Sequence, residues 1–407
     1  MKILFFGVHP LQGCGYGRVA NKITNHLASI PGIEVVFFAF QDYKNQRITD
    51  RFVDPKIKFY DALELDPKSP LGFGDNAILP CVVTEKPDAI FIYNDMMVTR
   101  GVMNRIPEKY MPPKKYLYLD IVYPWQSVEV YEALKSFNFD SIWVFLECWK
   151  KHLIDDFGFD KKKVKVMPHG VDFDKYKEIP MEEARKETGY KSDDFLVVNM
   201  NRNTVRKRWD ITIKAFLEFL KRENMNPRIK LYCGGLLTKQ GWNIPQIIAN
   251  EAYRQGLDVN TVLNKHVFSN PKPLHLTDEE VNEVYNSANV GLNTCCGEGF
   301  GLTTMEHVYL NRPQIVSGVP ALKETLGPHA HVVEPKIMGH TECNEHEGGV
   351  HMLCDYMDFA DHLQYCFKNP DARPNASEYV KQKYSWENVY KVLDEEFNNG
   401  KVRIGDS

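Results

Sequence analysis

The chain has 407 residues, 43% of them hydrophobic, with 50 basic against 54 acidic side chains. A chain of this length buries more than one core, so two or three domains are expected, and the near-even charge excludes a global polyanion-binding surface. Nine cysteines with no Cys-x-x-Cys pair, behind an N-terminus (MKILFFGV) too short and too weakly basic for a secretory signal, predict reduced thiols in a reducing compartment.

In chain order, MKILFFGV, IEVVFFAF (33–40), DAIFIYND (88–95), KYLYLDIV (115–122) and SIWVFLE (141–147) are short β-branched or aromatic runs bounded by turn signals, as strands are. Helical patterns such as GRVANKITNHLASI lie between some of them. This alternation predicts a parallel sheet covered by helices, a doubly wound domain over residues 1–170. The pattern restarts after VKVMPHGVDFDKY. FLVVNMN (195–201), KLYCGG (230–235), VGLN (290–293), PQIVS (313–317) and HVVEP (331–335) alternate with helices such as ITIKAFLEFLKR and DEEVNEVYNSA. A second doubly wound domain is expected over 171–384, with an amphipathic helix over 385–400 packing back on the first. Ligands of parallel sheets bind beyond the carboxyl ends of the strands, so the strand-to-helix loops are where chemistry is sought.

Three loops stand out. In HPLQGCGYGRVANKI (9–23), Gly13, Gly15 and Gly17 follow the first strand and open a helix, a setting for phosphate or substrate contact with Arg18 at hand. The G-x-G-x-G spacing departs from the dinucleotide fingerprint, and Asp42 is the nearest acid that could close the second strand. In NRNTVRKRWD (201–210), Arg202, Arg206, Lys207 and Arg208 crowd one strand-to-helix loop, where they oppose the helix dipole unless an anion such as a pyrophosphate meets them. In GEGFGLTTME (297–306), alternate glycines let backbone amides approach a ligand, and the following helix points free N–H groups at an anion. Thr303 and Glu306 also have the spacing of a capping box, which accounts for Glu306 without a ligand. Glu298 has no such account.

Glu298, seven intervening residues and Glu306, followed by NRPQIVS, resemble the hallmark of glycosyltransferase family 4. Arg202 and Lys207, five residues apart, resemble the diphosphate-binding pair of that family. VKVMPHGVDFDKY and YSWENVYKVLDEEF resemble its interdomain segment and returning C-terminal helix, and NMNRNTVRKR is similar to members encoded by large DNA viruses. The resemblance implies an α/β GT-B fold, two Rossmann-like doubly wound domains facing a cleft, and a retaining transfer of a sugar from a nucleotide-sugar to an acceptor hydroxyl. It implies Arg202 and Lys207 on the diphosphate, Glu298 on the donor sugar, Glu306 on the ribose, and backbone amides of Gly301, Leu302 and Thr303 on the distal phosphate. It implies no catalytic metal and no cofactor beyond the donor. Where family members carry a histidine at the end of an N-domain strand, this chain offers Asp120 in KYLYLDIVYPW; His169 in PHGVD reads as structural.

The expected partners are a nucleotide-sugar, with a GDP-sugar such as GDP-mannose favoured over a UDP-sugar, and a glycan or lipid-linked acceptor; no nucleic acid is expected. Base recognition is expected from loops near CGGLLTK and SNPKPLHL. No window reaches the roughly 18 apolar residues of a membrane span, so the expected location is cytoplasmic. KKKVKV (161–166) reads as a solvated edge, with peripheral membrane contact as the alternative. His340, Cys343, His346, His351 and Cys354 have zinc-like residue types, but their spacing fits no standard finger and a polar loop is the expected reading. The alternatives are another GT-B nucleotide-sugar or phosphorolytic enzyme, an NAD-dependent oxidoreductase built on the first glycine loop, and a non-catalytic sugar-binding module.

Overall fold

The computed structural model describes residues 1–48, 50–238, 241–269, 276–340 and 348–398. The chain separates into two compact units. One holds Met1–Gly170 and the segment from Tyr384; the other holds Val171–His340 and Val350–Lys383.

The first unit is built on seven parallel strands, β1 (Lys2–Val8), β2 (Glu34–Phe40), β3 (Lys58–Asp61), β4 (Ala89–Asp95), β5 (Lys114–Asp120), β6 (Ser141–Val144) and β7 (Val164–Val166), in the order β3-β2-β1-β4-β5-β6-β7. The interior strands are apolar at nearly every position because helices cover both faces. Aromatic rings fill the core; Phe5, for example, meets Phe37 at 4.9 Å and Phe91 at 5.0 Å between centroids. The strands that the sequence pattern does not reveal are short edge pieces. β3 is half-exposed along its length, and the basic run 161–166 contains β7, the last strand of the sheet, whose Lys165 reaches Glu396 at 2.6 Å. That glutamate lies on the helix Trp386–Phe397, which returns to this unit. Its Tyr390 stacks on His26 at 4.1 Å, and its Trp386 fills the place a side chain on Gly170 would need, 2.5 Å from such a Cβ.

The second unit repeats the plan with β8 (Phe195–Asn199), β9 (Ile229–Cys233), β10 (Val267–Ser269), β11 (Val290–Asn293), β12 (Gln314–Ser317) and β13 (His331–Val333), in the order β10-β9-β8-β11-β12-β13. The helix Trp209–Arg222 buries Ile213, Phe216, Leu217 and Leu220 against this sheet. Full burial of such a side chain contributes roughly 1.5–3 kcal/mol. An antiparallel hairpin, β14 (Ile337–His340) and β15 (Val350–Leu353), follows where the sequence suggested only a polar loop.

Candidate functional site

The second sheet changes direction at β8. The chain winds outward from β8 to β9 and β10, then returns to pair β11 on the other side, so the carboxyl ends of β8 and β11 form a topological switch point. The two loops singled out in the sequence, 200–208 and 294–301, leave the sheet at these two neighbouring strands. Their backbones are tied together. Thr294 Oγ1 lies 3.2 Å from the Lys207 carbonyl and 3.0 Å from that of Arg208, Thr212 Oγ1 is 2.6 Å from Thr294 Oγ1, and Cys296 N donates to the Arg206 carbonyl at 2.9 Å.

This pinning brings Lys207 Nζ onto Glu298 Oε2, with both residues buried. Arg206 Nη1 lies 3.3 Å from Glu298 Oε1 and donates to the Gly297 carbonyl at 3.0 Å. Burial opposes the charge on Glu298, but Lys207 and Arg206 outweigh it and hold the carboxyl down at about 2. Burial lowers the Lys207 ammonium, against the pull of Glu298. The Arg202 side chain is exposed and makes no hydrogen bond or ion pair among the described residues. Within this loop it is thus Lys207 and Arg206, and not Arg202, that meet Glu298. Arg208 is engaged elsewhere, by Asp210 at 2.8 Å and over the ring of Trp242 at 5.6 Å.

The helix Leu302–Tyr309 starts at Gly301, whose φ of 91° and whose closeness to Leu322 (2.6 Å from an added Cβ) admit only glycine. No side chain caps it, so Thr303 is not an N-cap and the capping box expected between Thr303 and Glu306 does not form. Among the described residues the capping box of this unit belongs to Thr277 and Glu280 on another helix, Asp278–Ser287. Without side-chain capping, the amides of Leu302 and Thr303 have no protein acceptor among the described residues. Glu306 is buried and accepts from Tyr285 Oη at 3.2 Å. Beside it the imidazole of His307, driven down to about 3 by burial and Arg312, stacks on Tyr285 at 4.7 Å.

The glycines of CGGLLTK are occupied by packing. A Cβ on Gly235 would meet Asn203 N at 2.8 Å, and buried Asn203 ties that loop down through Nδ2 to the Leu236 and Trp242 carbonyls at 2.8 and 2.6 Å. Lys239 of that loop and 270–275 of SNPKPLHL lie outside the described residues.

In the first unit, β4 and β5 end side by side at Asp95 and Asp120. Asp120 Oδ2 accepts from Tyr16 Oη at 2.5 Å. Burial and the neighbouring Asp120 push the Tyr16 hydroxyl well above its ordinary range, so it remains a donor. Gly15 opens the helix Gly15–Ser29, but the reason for glycine at Gly17 is steric: a Cβ there would lie 2.7 Å from the Gln12 carbonyl and 2.9 Å from that of His9. Asp42, the acid a dinucleotide would need, is buried and accepts from Arg47 Nε at 2.8 Å, which removes the support for an NAD site. His169 is buried, held down to about 3 by desolvation and Arg18, with Nδ1 2.7 Å from Tyr118 Oη.

Two of the candidate zinc ligands, His340 and His351, do not converge. His340 pairs with Val350 and Gly339 with His351 across the hairpin, so His340 and His351 point to opposite faces. Cys354 donates its thiol to the Val333 carbonyl at 3.1 Å. Cys343 and His346 lie outside the described residues, and among the described residues no cluster of His, Cys, Asp and Glu has metal-binding geometry. The eight described cysteines are free thiols.

No protein-family model matches the chain. It is 24% identical over 174 residues to a D-inositol 3-phosphate glycosyltransferase of Geodermatophilus obscurus, covering 42% of this chain and 37% of that protein. It is 25% identical over 191 residues to a mannosylfructose-phosphate synthase of Agrobacterium fabrum, covering 45% and 39%. The chain thus spans about two fifths of the length of these relatives. In structure it is similar to sucrose-phosphate synthase from Thermosynechococcus elongatus, with a TM-score of 0.72 and 16% identity over 99% of both chains. It is also similar to Anabaena HepE in complex with UDP-glucose, with a TM-score of 0.68 and 15% identity over 98% of this chain and 100% of that one. The fold shared with these structures is the α/β GT-B fold of two Rossmann-like domains, and the named relatives support the family-4-like resemblance.

Proposed function

We propose that the chain is a retaining glycosyltransferase that moves a sugar from a nucleotide-sugar to an acceptor hydroxyl. The observation that carries this reading is the buried Glu298 held between Lys207 and Arg206 at the switch point, beside an uncapped helix N-terminus. An ammonium has three donors, so Lys207 can keep Glu298 and still bind a phosphate oxygen. Arg206 adds a second cation on the same side, and Arg202, exposed, is available to the outer phosphate. The amides of Leu302 and Thr303 suit the distal phosphate, and Gly301 leaves their approach clear. Glu298, kept ionised, accepts hydrogen bonds from the donor-sugar hydroxyls, and Glu306, steadied by Tyr285, takes the ribose hydroxyls.

In the transfer, the acceptor oxygen bonds to the anomeric carbon as the bond to the diphosphate breaks. The acceptor proton passes to an oxygen of the leaving phosphate, on the same face of the sugar. Preorganised cations stabilise the charge that develops on that phosphate, which is the main contribution to rate. The reaction as proposed uses no metal. Asp120, oriented by Tyr16, is the first unit's candidate for contact with the sugar or acceptor. The donor preferred from the sequence is a GDP-sugar; the likeness to a structure holding UDP-glucose favours a UDP-sugar as the second reading.

The test is a panel of GDP-, UDP- and ADP-sugars scored by thermal stabilisation, donor hydrolysis and transfer, with the anomeric configuration of the product read by NMR. One nucleoside diphosphate series should stabilise the protein and give a retained product. Stabilisation by NAD alone, or an inverted product, would overturn the reading.

A further inference from the structure

A cavity of about 460 Å³ lies wholly within the first unit, at the carboxyl end of its sheet, where β2 ends at Phe40 and β4 at Asp95. Phe73, Ile78, Met97, Val98 and Val102 join Phe40 in an apolar lining. Its polar groups are few. Asp95 is taken up by the amides of Met97 and Val98, both at 2.9 Å. Arg105 Nη2 pairs with Asp75 at 3.0 Å, and Arg105 Nη1 donates to the Gly101 carbonyl at 2.8 Å. The Arg105–Asp75 pair offers both donors and acceptors with its two charges cancelled.

The cavity is built to stay open. Gly101 sits inside the helix Met96–Asn104, where glycine is the poorest residue after proline. An added Cβ would lie 3.3 Å from Arg105 Nη1 and press on the guanidinium that forms the polar end of the cavity. Leu71, on the opposite wall, is 71% exposed and holds a left-handed φ of 55°, an apolar side chain offered to solvent on an unfavourable backbone. That wall is fixed by local bonds: Asp66 Oδ2 accepts from Asn76 N and Nδ2 at 3.0 Å, and Ser69 Oγ accepts from Asp75 N at 3.1 Å.

We infer that this cavity binds the apolar part of an amphipathic alcohol, with its hydroxylated head against the Arg105–Asp75 pair, and that this molecule is the acceptor. The assignment as acceptor rests on the transferase reading above; the site itself does not. The volume lies within the roughly 300–1,000 Å³ of small-molecule sites, and the lining has their mainly apolar character. Its place at the strand ends is where parallel sheets take ligands. A neutral ion pair suits hydroxyls, which donate and accept at once, better than a ligand of net charge.

The full chain is titrated calorimetrically with octyl glucoside below its micelle concentration and with methyl glucoside. Octyl glucoside should bind at least tenfold more tightly. Gly101→Leu, which fills the cavity, should weaken it at least tenfold while keeping the thermal shift caused by the nucleotide-sugar, and Val98→Trp should do the same should the leucine variant fail to fold. Equal affinity for the two glucosides, or octyl glucoside binding unchanged in the folded cavity-filling variants, would overturn the site. Octyl glucoside binding by a protein that responds to no nucleotide-sugar would overturn the assignment as acceptor.

Discussion

Lys207 and Glu298 form a buried ion pair between the loop that leaves β8 and the loop that leaves β11. Removing one partner from such a pair leaves a charge without compensation, at a cost of about 3–5 kcal/mol. Glu298→Gln and Lys207→Met should each lower the unfolding free energy by roughly 3 kcal/mol, and the double variant should lose clearly less than the sum. Urea unfolding at neutral pH measures all three; strictly additive losses would contradict the pairing.

Arg202 and Arg206 should separate binding from stability. Arg206 holds Glu298 and the Gly297 carbonyl, whereas the Arg202 side chain is exposed. Arg202→Ala should weaken nucleoside diphosphate binding by about tenfold, the worth of one charge-assisted bond, with an unchanged melting temperature. Arg206→Ala should lower the melting temperature by several degrees as well as weaken binding. Calorimetry and thermal unfolding of the two variants decide it, and identical behaviour would refute the distinction.

The capping assignment has a direct check. Thr277 accepts from Glu280 N at 3.1 Å, while Thr303 caps nothing. Thr277→Ala should cost about 1 kcal/mol and Thr303→Ala within about 0.5 kcal/mol. A larger loss at Thr303 than at Thr277 in chemical denaturation would restore the capping reading of GEGFGLTTME.

Acid should destabilise the fold before Glu298 is neutralised. His169 and His307 are buried and held at about 3, below their ordinary value of 6.5. The unfolded chain therefore binds more protons between pH 6.5 and about 3, and stability falls as pH drops through that range, by up to about 1.4 kcal/mol per pH unit for each histidine. Glu298, depressed to about 2 from 4.5, adds stability above pH 4.5 that is lost only as pH falls toward 2. Urea midpoints from pH 7 to 4 should show the decline, and His307→Gln should flatten its slope. A stability independent of pH over that interval would contradict neutral burial.

Much of the fold was legible because its signals are local. Interior strands such as FFGV and VVFFAF are apolar on both faces, and the amphipathic helix Trp209–Arg222 shows its period within four turns' length. β3, β10, β14 and β15 were not legible, because short exposed or half-exposed strands carry neither an apolar run nor a clean alternation. Tyr16 on Asp120 and Tyr285 on Glu306 had no signal either, since each contact joins residues far apart in sequence.

By itself the sequence determined that two parallel sheets form and that the loops at 201–208 and 297–306 carry cations and carboxylates. Which of them meet was decided by tertiary structure. Pairing of β8 with β11 sets the two loops side by side, and Thr294 and Cys296 fix their register, so that Arg206 and Lys207, not Arg202, flank Glu298. The left-handed turn at Gly301 likewise starts the helix at Leu302, which leaves Thr303 within its first turn and out of the cap. Spacing in a chain names the candidates; backbone direction at each loop selects among neighbours one turn apart.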